Sequence, residues 1–214
     1  VKDALLPEVG LRLQAPKRVG VLVQQLARRA TLPGMVGLGV LVEAFARLKT
    51  GNAWLKSLRL RVSGGFTGDD RYFLEGLGER LTQQNMAQDV DMVPAFDIKA
   101  RLDFLQSLSV FSVPAPRAEA FGLPILEALA SGVPVVEPSI GGFAELVEET
   151  GGGVLYDPAD LNHYVEALGS LLLDSDRARD LGRHGREVVH SRFTVQRMAI
   201  DMVRAYGKAR LTHS

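Results

Sequence analysis

The sequence predicts a doubly wound α/β domain, in which helices cover both faces of a mostly parallel sheet of about six strands. Three observations predict it. Short valine- and leucine-rich runs alternate with amphipathic stretches along the whole chain, the pattern of successive βαβ units. Runs such as Val133-Pro-Val-Val136 are continuously apolar rather than alternating, as strands covered on both faces require. At 214 residues, with 46% hydrophobic and 23% charged residues, the chain can bury one sizeable core.

The elements follow in order. Residues 19–24 (VGVLVQ) and 58–63 (LRLRVS) read as the first two strands, and helical apolar spacing places a helix at 37–49 between them. A second helix is expected at 71–84, a third strand at 90–93, a third helix at 97–107 and a fourth strand at 110–113. The helix at 123–131 carries Pro124 in its first turn, where a missing N–H costs nothing, and ends at Ser131. The fifth strand is 133–137, and a helix at 142–149 stops at the Gly151–Gly153 run before a sixth strand at 153–156. Helices at 161–174, 176–191 and 194–209 close the chain. Residues 1–17 read as an interdomain segment and 18–214 as the domain.

In such sheets ligands bind at the carboxyl ends of the strands, near the point where the strand order reverses. The loops to search are therefore 25–36, 64–70, 94–97, 114–122 and 138–142, and four of the five are rich in Gly or Pro. Residues 120–136 (AFGLPILEALASGVPVV) carry a single charge, Glu127. An ionised carboxylate in apolar surroundings is costly unless hydrogen-bond donors compensate it. Eight positions upstream lies Glu119, in the loop before the helix, while Glu127 falls about one turn inside. Free amides and the helix dipole at the first turn suit a phosphate. A carboxylate one turn deeper suits vicinal hydroxyls, each worth roughly 1.5–3 kcal/mol when the bond is charge-assisted. Together they would receive a sugar nucleotide. The same residues also fit a plainer arrangement, with Glu119 capping the helix and Glu127 facing solvent.

The stretch Glu119-Ala-Phe-Gly-Leu-Pro-Ile-Leu-Glu127-Ala-Leu-Ala-Ser-Gly-Val-Pro-Val-Val resembles the E-x7-E signature of group 1 glycosyltransferases, the retaining, two-domain GT-B family. The resemblance continues through Gly141-Gly142-Phe-Ala-Glu145, Gly151-Gly-Gly-Val-Leu, Leu181-Gly-Arg and Phe193-Thr. It reaches back through Phe104-Leu-Gln-Ser-Leu-Ser-Val-Phe and Leu60-Arg-Val-Ser-Gly-Gly65 to Leu41-Val-Glu-Ala-Phe45, covering about residues 18–206. It implies a Rossmann-like fold forming the C-terminal, donor-binding half of such an enzyme, with the acceptor handled by an N-terminal domain. Glu119 would contact the donor sugar beside the reacting centre, and Glu127 would accept from the ribose hydroxyls. Amides around Gly122, Leu123, Gly141 and Gly142 would meet the diphosphate or sugar. Arg28 matches the arginine that neutralises the leaving diphosphate, with Arg29 as its substitute if the register moves by one; that is electrostatic catalysis by a fixed cation. Family members need no divalent metal, so the resemblance implies no metal and no cofactor beyond the nucleotide-diphosphate sugar itself.

The sequence departs from the family at three places. Val36-Gly37 stands where a lysine and glycine are usual, Ser109 where an aspartate is usual, and Pro94 where a glycine is usual. Losing one charged contact to the phosphates costs about 1.5–3 kcal/mol, roughly 10- to 150-fold in affinity. These departures keep a second reading open: a degenerate domain serving as a non-catalytic nucleotide-sugar-binding or scaffold module.

Other chemistries fit less well. Lys and Arg number 25 against 25 Asp and Glu, so nothing points to nucleic acid. There is no cysteine and hence no disulfide or thiolate chemistry, consistent with a cytoplasmic location. Gly37-Leu-Gly39-Val-Leu-Val42 begins like a dinucleotide fingerprint but lacks its third glycine and its tight turn after a strand. His163, His184, His190 and His213 are scattered, and Asp69-Asp70 reads as solvated turn acids. The arginines of the closing helices interleave with acids, the pattern of a solvated face. A sharper use for them is packing on a partner domain or peripheral contact with an anionic membrane. The expected partners are thus a nucleotide sugar and an acceptor sugar, lipid or small molecule.

Overall fold

A computed structural model of the protein describes residues 17–23, 37–64, 71–93, 97–115, 117–118 and 120–211, of which 21–23 and 208–211 are described by backbone alone. Six parallel strands form one sheet: β1 (Arg18–Val23), β2 (Arg59–Gly64), β3 (Val90–Val93), β4 (Val110–Phe111), β5 (Val135–Pro138) and β6 (Gly153–Tyr156). Their order is β3-β2-β1-β4-β5-β6. Both neighbours of β1 are parallel to it, with Val19 opposite Leu60 on one side and Val110 on the other. The expected doubly wound α/β architecture is therefore present.

The helices are α1 (Gly37–Gly51), α2 (Arg71–Gln83), α3 (Ile98–Gln106), α4 (Leu123–Ala130), α5 (Gly141–Thr150), α6 (Leu161–Leu173), α7 (Ser175–Arg192) and α8 (Val195–Leu211). Successive strand residues divide between two cores, as a period of two demands. Val110 and Val136 join Leu41, Phe45, Tyr164 and Leu168 of α1 and α6. Phe111 and Val135 join Phe104, Ile125, Leu129 and Phe143 of α3, α4 and α5.

β1 and β2 are offset from the expectation by one residue, and β4 and β5 are shorter than expected, each for a local reason. β5 begins at Val135 because Pro134 has no N–H; its carbonyl accepts from Phe111 N instead, at 3.0 Å. β4 stops at Phe111 because the Val113 N–H leaves the ladder for the Glu137 carboxyl, 3.2 Å from each oxygen. The Gly151 stop takes the expected form: its φ of +57° is left-handed, and its N–H caps the Val147 carbonyl at 2.8 Å. α7 packs closely on the end of α4, because a Cβ on Gly182 would lie 2.2 Å from the Gly132 carbonyl oxygen.

Candidate functional site

The strand order reverses between β1 and β4, and ligand crevices of open α/β sheets form at the carboxyl ends of the strands beside such a point. The chain leaves β1 at Val23 and re-enters helix at Gly37, which presses on the segment leaving β4: a Cβ on Gly37 would lie 2.0 Å from the Pro114 carbonyl oxygen. That close approach explains Gly37 without any dinucleotide. Gly39, where a Cβ would make only ordinary contact with Phe73, is explained by helix packing.

Two helix starts meet at this edge. α4 opens at Gly122, with Pro124 in its first turn; its first internally bonded amides are Ile125 and Leu126, both donating to Gly122 O at 3.0 Å. The amides of Gly122 and Leu123 are thus among those that no α-helix satisfies internally. Gly122 is buried, and a Cβ there would lie 2.9 Å from Leu146 and 3.2 Å from Phe143 of α5. α5 in turn opens on Gly141, at a φ of +59° that favours glycine, followed by Gly142. Adjacent parallel strands and this contact bring the two amide-rich, positive helix ends side by side.

Glu127 lies one turn inside α4 and is neither free in solvent nor sealed in the core. Its side chain is 35% exposed and pairs with Arg101 of α3, itself 37% exposed, through Nη1 at 3.0 Å. The same nitrogen lies 3.4 Å from the second carboxylate oxygen. The α4 end is secured by Ser131, whose hydroxyl donates to Glu127 O at 2.9 Å.

Beneath the β4–α4 connection lies a buried polar group of a different kind. Glu137, at the end of β5, is fully buried, and desolvation pushes its carboxyl well above the usual range, against the opposing pull of the Val113 N–H. Ser112 Oγ bonds to the Tyr164 hydroxyl at 2.9 Å, and burial raises both Tyr164 and Tyr156. Through the Val113 N–H, Glu137 ties the start of the β4–α4 connection to β5.

The structure thus places Gly122, Leu123 and Glu127 on α4 and Gly141 and Gly142 at the start of α5, whose Phe143 lies against Gly122. Glu119, Arg28, Arg29, Val36, Pro94, Asp69-Asp70 and His213 lie outside the described residues. Sequence reasoning missed Arg101 and Glu137. A lone carboxylate in an apolar run signals a missing counter-ion, and a charged residue closing an apolar parallel strand signals a buried acid. Of the histidines, His163 Nδ1 accepts from Asp157 N at 3.1 Å and His190 Nε2 lies 3.2 Å from Ala130 O, both local contacts. On the closing helices Arg179, Arg183 and Arg197 pair with Asp176, Asp180 and Asp201, as a solvated face would. Among the described residues no helix is long and apolar enough to cross a membrane.

The family model described as glycosyl transferases group 1 matches residues 29–188. The chain belongs to this family. Its fold matches sucrose-phosphate synthase from Thermosynechococcus elongatus, with a TM-score of 0.73 and 27% identity, over 92% of this chain and 46% of that one. It matches Anabaena HepE, crystallised with UDP and glucose, at a TM-score of 0.73 and 18% identity, over 89% of this chain and 48% of that one. The C-terminal domain of the group 1 family protein LpcC from Francisella tularensis matches at a TM-score of 0.69 and 19% identity, over 84% of this chain and 87% of that domain. The group 1 chain thus has the Rossmann-like fold of a GT-B C-terminal half and spans less than half the length of the first two proteins. No curated protein matches it by sequence.

Proposed function

We propose that this domain binds the nucleotide-diphosphate sugar of a retaining glycosyltransferase. The observation that carries the reading is the meeting of two helix starts, at Gly122 and Gly141, with a half-buried carboxylate one turn inside the first. Phosphate oxygens would accept from the opening amides, and ribose hydroxyls would donate to Glu127. HepE, with UDP and glucose bound, supports the class of ligand.

In the proposed reaction the bond between the anomeric carbon and the diphosphate breaks. A bond from that carbon to the acceptor oxygen forms on the same face, releasing a nucleoside diphosphate and the hydroxyl proton. An oxocarbenium-like transition state follows by analogy with other glycosyl transfer. Glu119 would lie beside the reacting carbon, and Arg28, or Arg29 in its place, would neutralise the departing diphosphate. No metal enters this scheme. The acceptor, a sugar, lipid or small molecule, would come from a second domain. Val195, Met198, Val203 and Tyr206, exposed on α8, support a packing surface for it. The spacing of Glu119 and Glu127 supports chemistry over a non-catalytic scaffold, which would bind donor without transferring it.

The test is calorimetric titration of UDP, GDP and ADP into the parent and Glu127→Ala chains. Selective binding that the substitution weakens about tenfold or more supports the reading, this being the loss of a charge-assisted contact. Affinity unchanged by the substitution rejects it.

A further inference from the structure

Resting on that donor-site reading, the geometry points to Arg101 as the positioning residue for Glu127. Arg101 stands at the start of α3, a helix fixed by Asp97, whose side chain accepts from Ala100 N at 2.8 Å and whose carbonyl accepts from Arg101 N at 3.0 Å. From there Nη1 reaches one Glu127 oxygen at 3.0 Å and the other at 3.4 Å. Its Nε is buried with no hydrogen-bond partner among the described residues. Most buried donors find acceptors, so a guanidinium whose Nε is unsatisfied owes its position to the charge-assisted contact that its Nη1 makes. The contact it does make is to the carboxylate.

The consequence for binding follows from acceptor capacity. A carboxylate offers about four lone-pair sites. A single nitrogen set across both oxygens holds the group on its Arg101 side and leaves sites for two hydroxyl donors. Leu126 and Ala128, on either side of Glu127, are buried and supply no compensating charge. Arg101 therefore compensates and aims the carboxylate before a nucleoside arrives, without needing to touch the nucleoside. Affinity for vicinal ribose hydroxyls thus depends on a residue of α3, the helix that follows β3, as well as on α4.

The experiment is a double-mutant cycle read by calorimetry with UDP and 2′-deoxy-UDP, with GDP and ADP and their 2′-deoxy forms run alongside, on the 214-residue chain. The variants are Arg101→Met, which keeps the stem, Arg101→Lys, Glu127→Gln and the Arg101→Met/Glu127→Gln double, each checked for folding by its melting curve. Expected is a loss of about 5- to 20-fold for the ribonucleotide in Arg101→Met, the range of one weakened charged contact. The preference for the 2′-hydroxyl is lost with it, and Arg101→Lys restores most of both. In the Glu127→Gln background Arg101→Met has no more than about a twofold further effect, because coupled residues are not additive. Equal losses in both backgrounds, or an unchanged hydroxyl preference in Arg101→Met, overturn the assignment while leaving the donor site standing. No binding of any of the three nucleotides, or Glu127→Gln binding like the parent, overturns the donor-site reading and this assignment with it.

Discussion

Replacing Gly37 by alanine tests whether the start of α1 and the β4–α4 connection are built against each other. The added methyl would lie 2.0 Å from the Pro114 carbonyl oxygen, at least 1 Å inside the approach that Cβ atoms tolerate. The obstacle is backbone, so either α1 or the Pro114 segment must shift. Overpacking of this kind costs about 1–3 kcal/mol. For a chain of this size each kcal/mol moves the melting temperature by about 2–4 °C, so a fall of about 2–12 °C is expected. Gly78→Ala is the matched control. Gly78 is exposed within α2 and a Cβ there meets nothing within 4 Å; alanine should stabilise by about 0.5–1 kcal/mol through helix propensity alone. Thermal unfolding by circular dichroism separates the two, and calorimetry of the bound nucleotide should show weaker affinity for Gly37→Ala only. A Gly37→Ala chain that melts within about 1 °C of the parent and binds equally well would refute the close packing at this edge.

Gly182→Ala should also destabilise by about 1–3 kcal/mol in a melting curve, because its Cβ would lie 2.2 Å from the Gly132 backbone oxygen. Glu137 gives a pH prediction: its folded carboxyl titrates well above the unfolded one, so the folded state holds the extra proton and stability falls as pH rises from the ordinary carboxylate range through the raised value. Glu137→Gln keeps an acceptor for the Val113 N–H and removes the titration, so melting temperatures measured from acid to alkaline pH should decline less steeply than the parent's. An identical decline in both would place the titration elsewhere.

The strand and helix order was legible because periodicity is a property of neighbouring residues, and Val110, Phe111, Val135 and Val136 alternate between two cores as that period requires. The ends of β4 and β5 were less so. They depend on where single hydrogen bonds go, the Val113 N–H to Glu137 and the Pro134 carbonyl to Phe111. The helix start at Gly122–Leu123 was readable from Pro124, and Glu127 from its isolation in an apolar run. Its partner was not, because Arg101 lies 26 residues away on a helix where a cation is an ordinary surface residue. Glu137 looked like the polar end of a strand, and only the tertiary structure shows it fully buried.

Hydrogen–deuterium exchange with and without the nucleotide that calorimetry selects tests the donor site most directly. Binding there should slow exchange at the amides of Gly122, Leu123, Gly141 and Gly142, with the Glu127 turn of α4 protected alongside and the remote face of α7 unchanged. Protection confined to other elements, with both helix starts exchanging as in the free chain, would contradict a nucleotide-sugar site at the junction of β4 and β5.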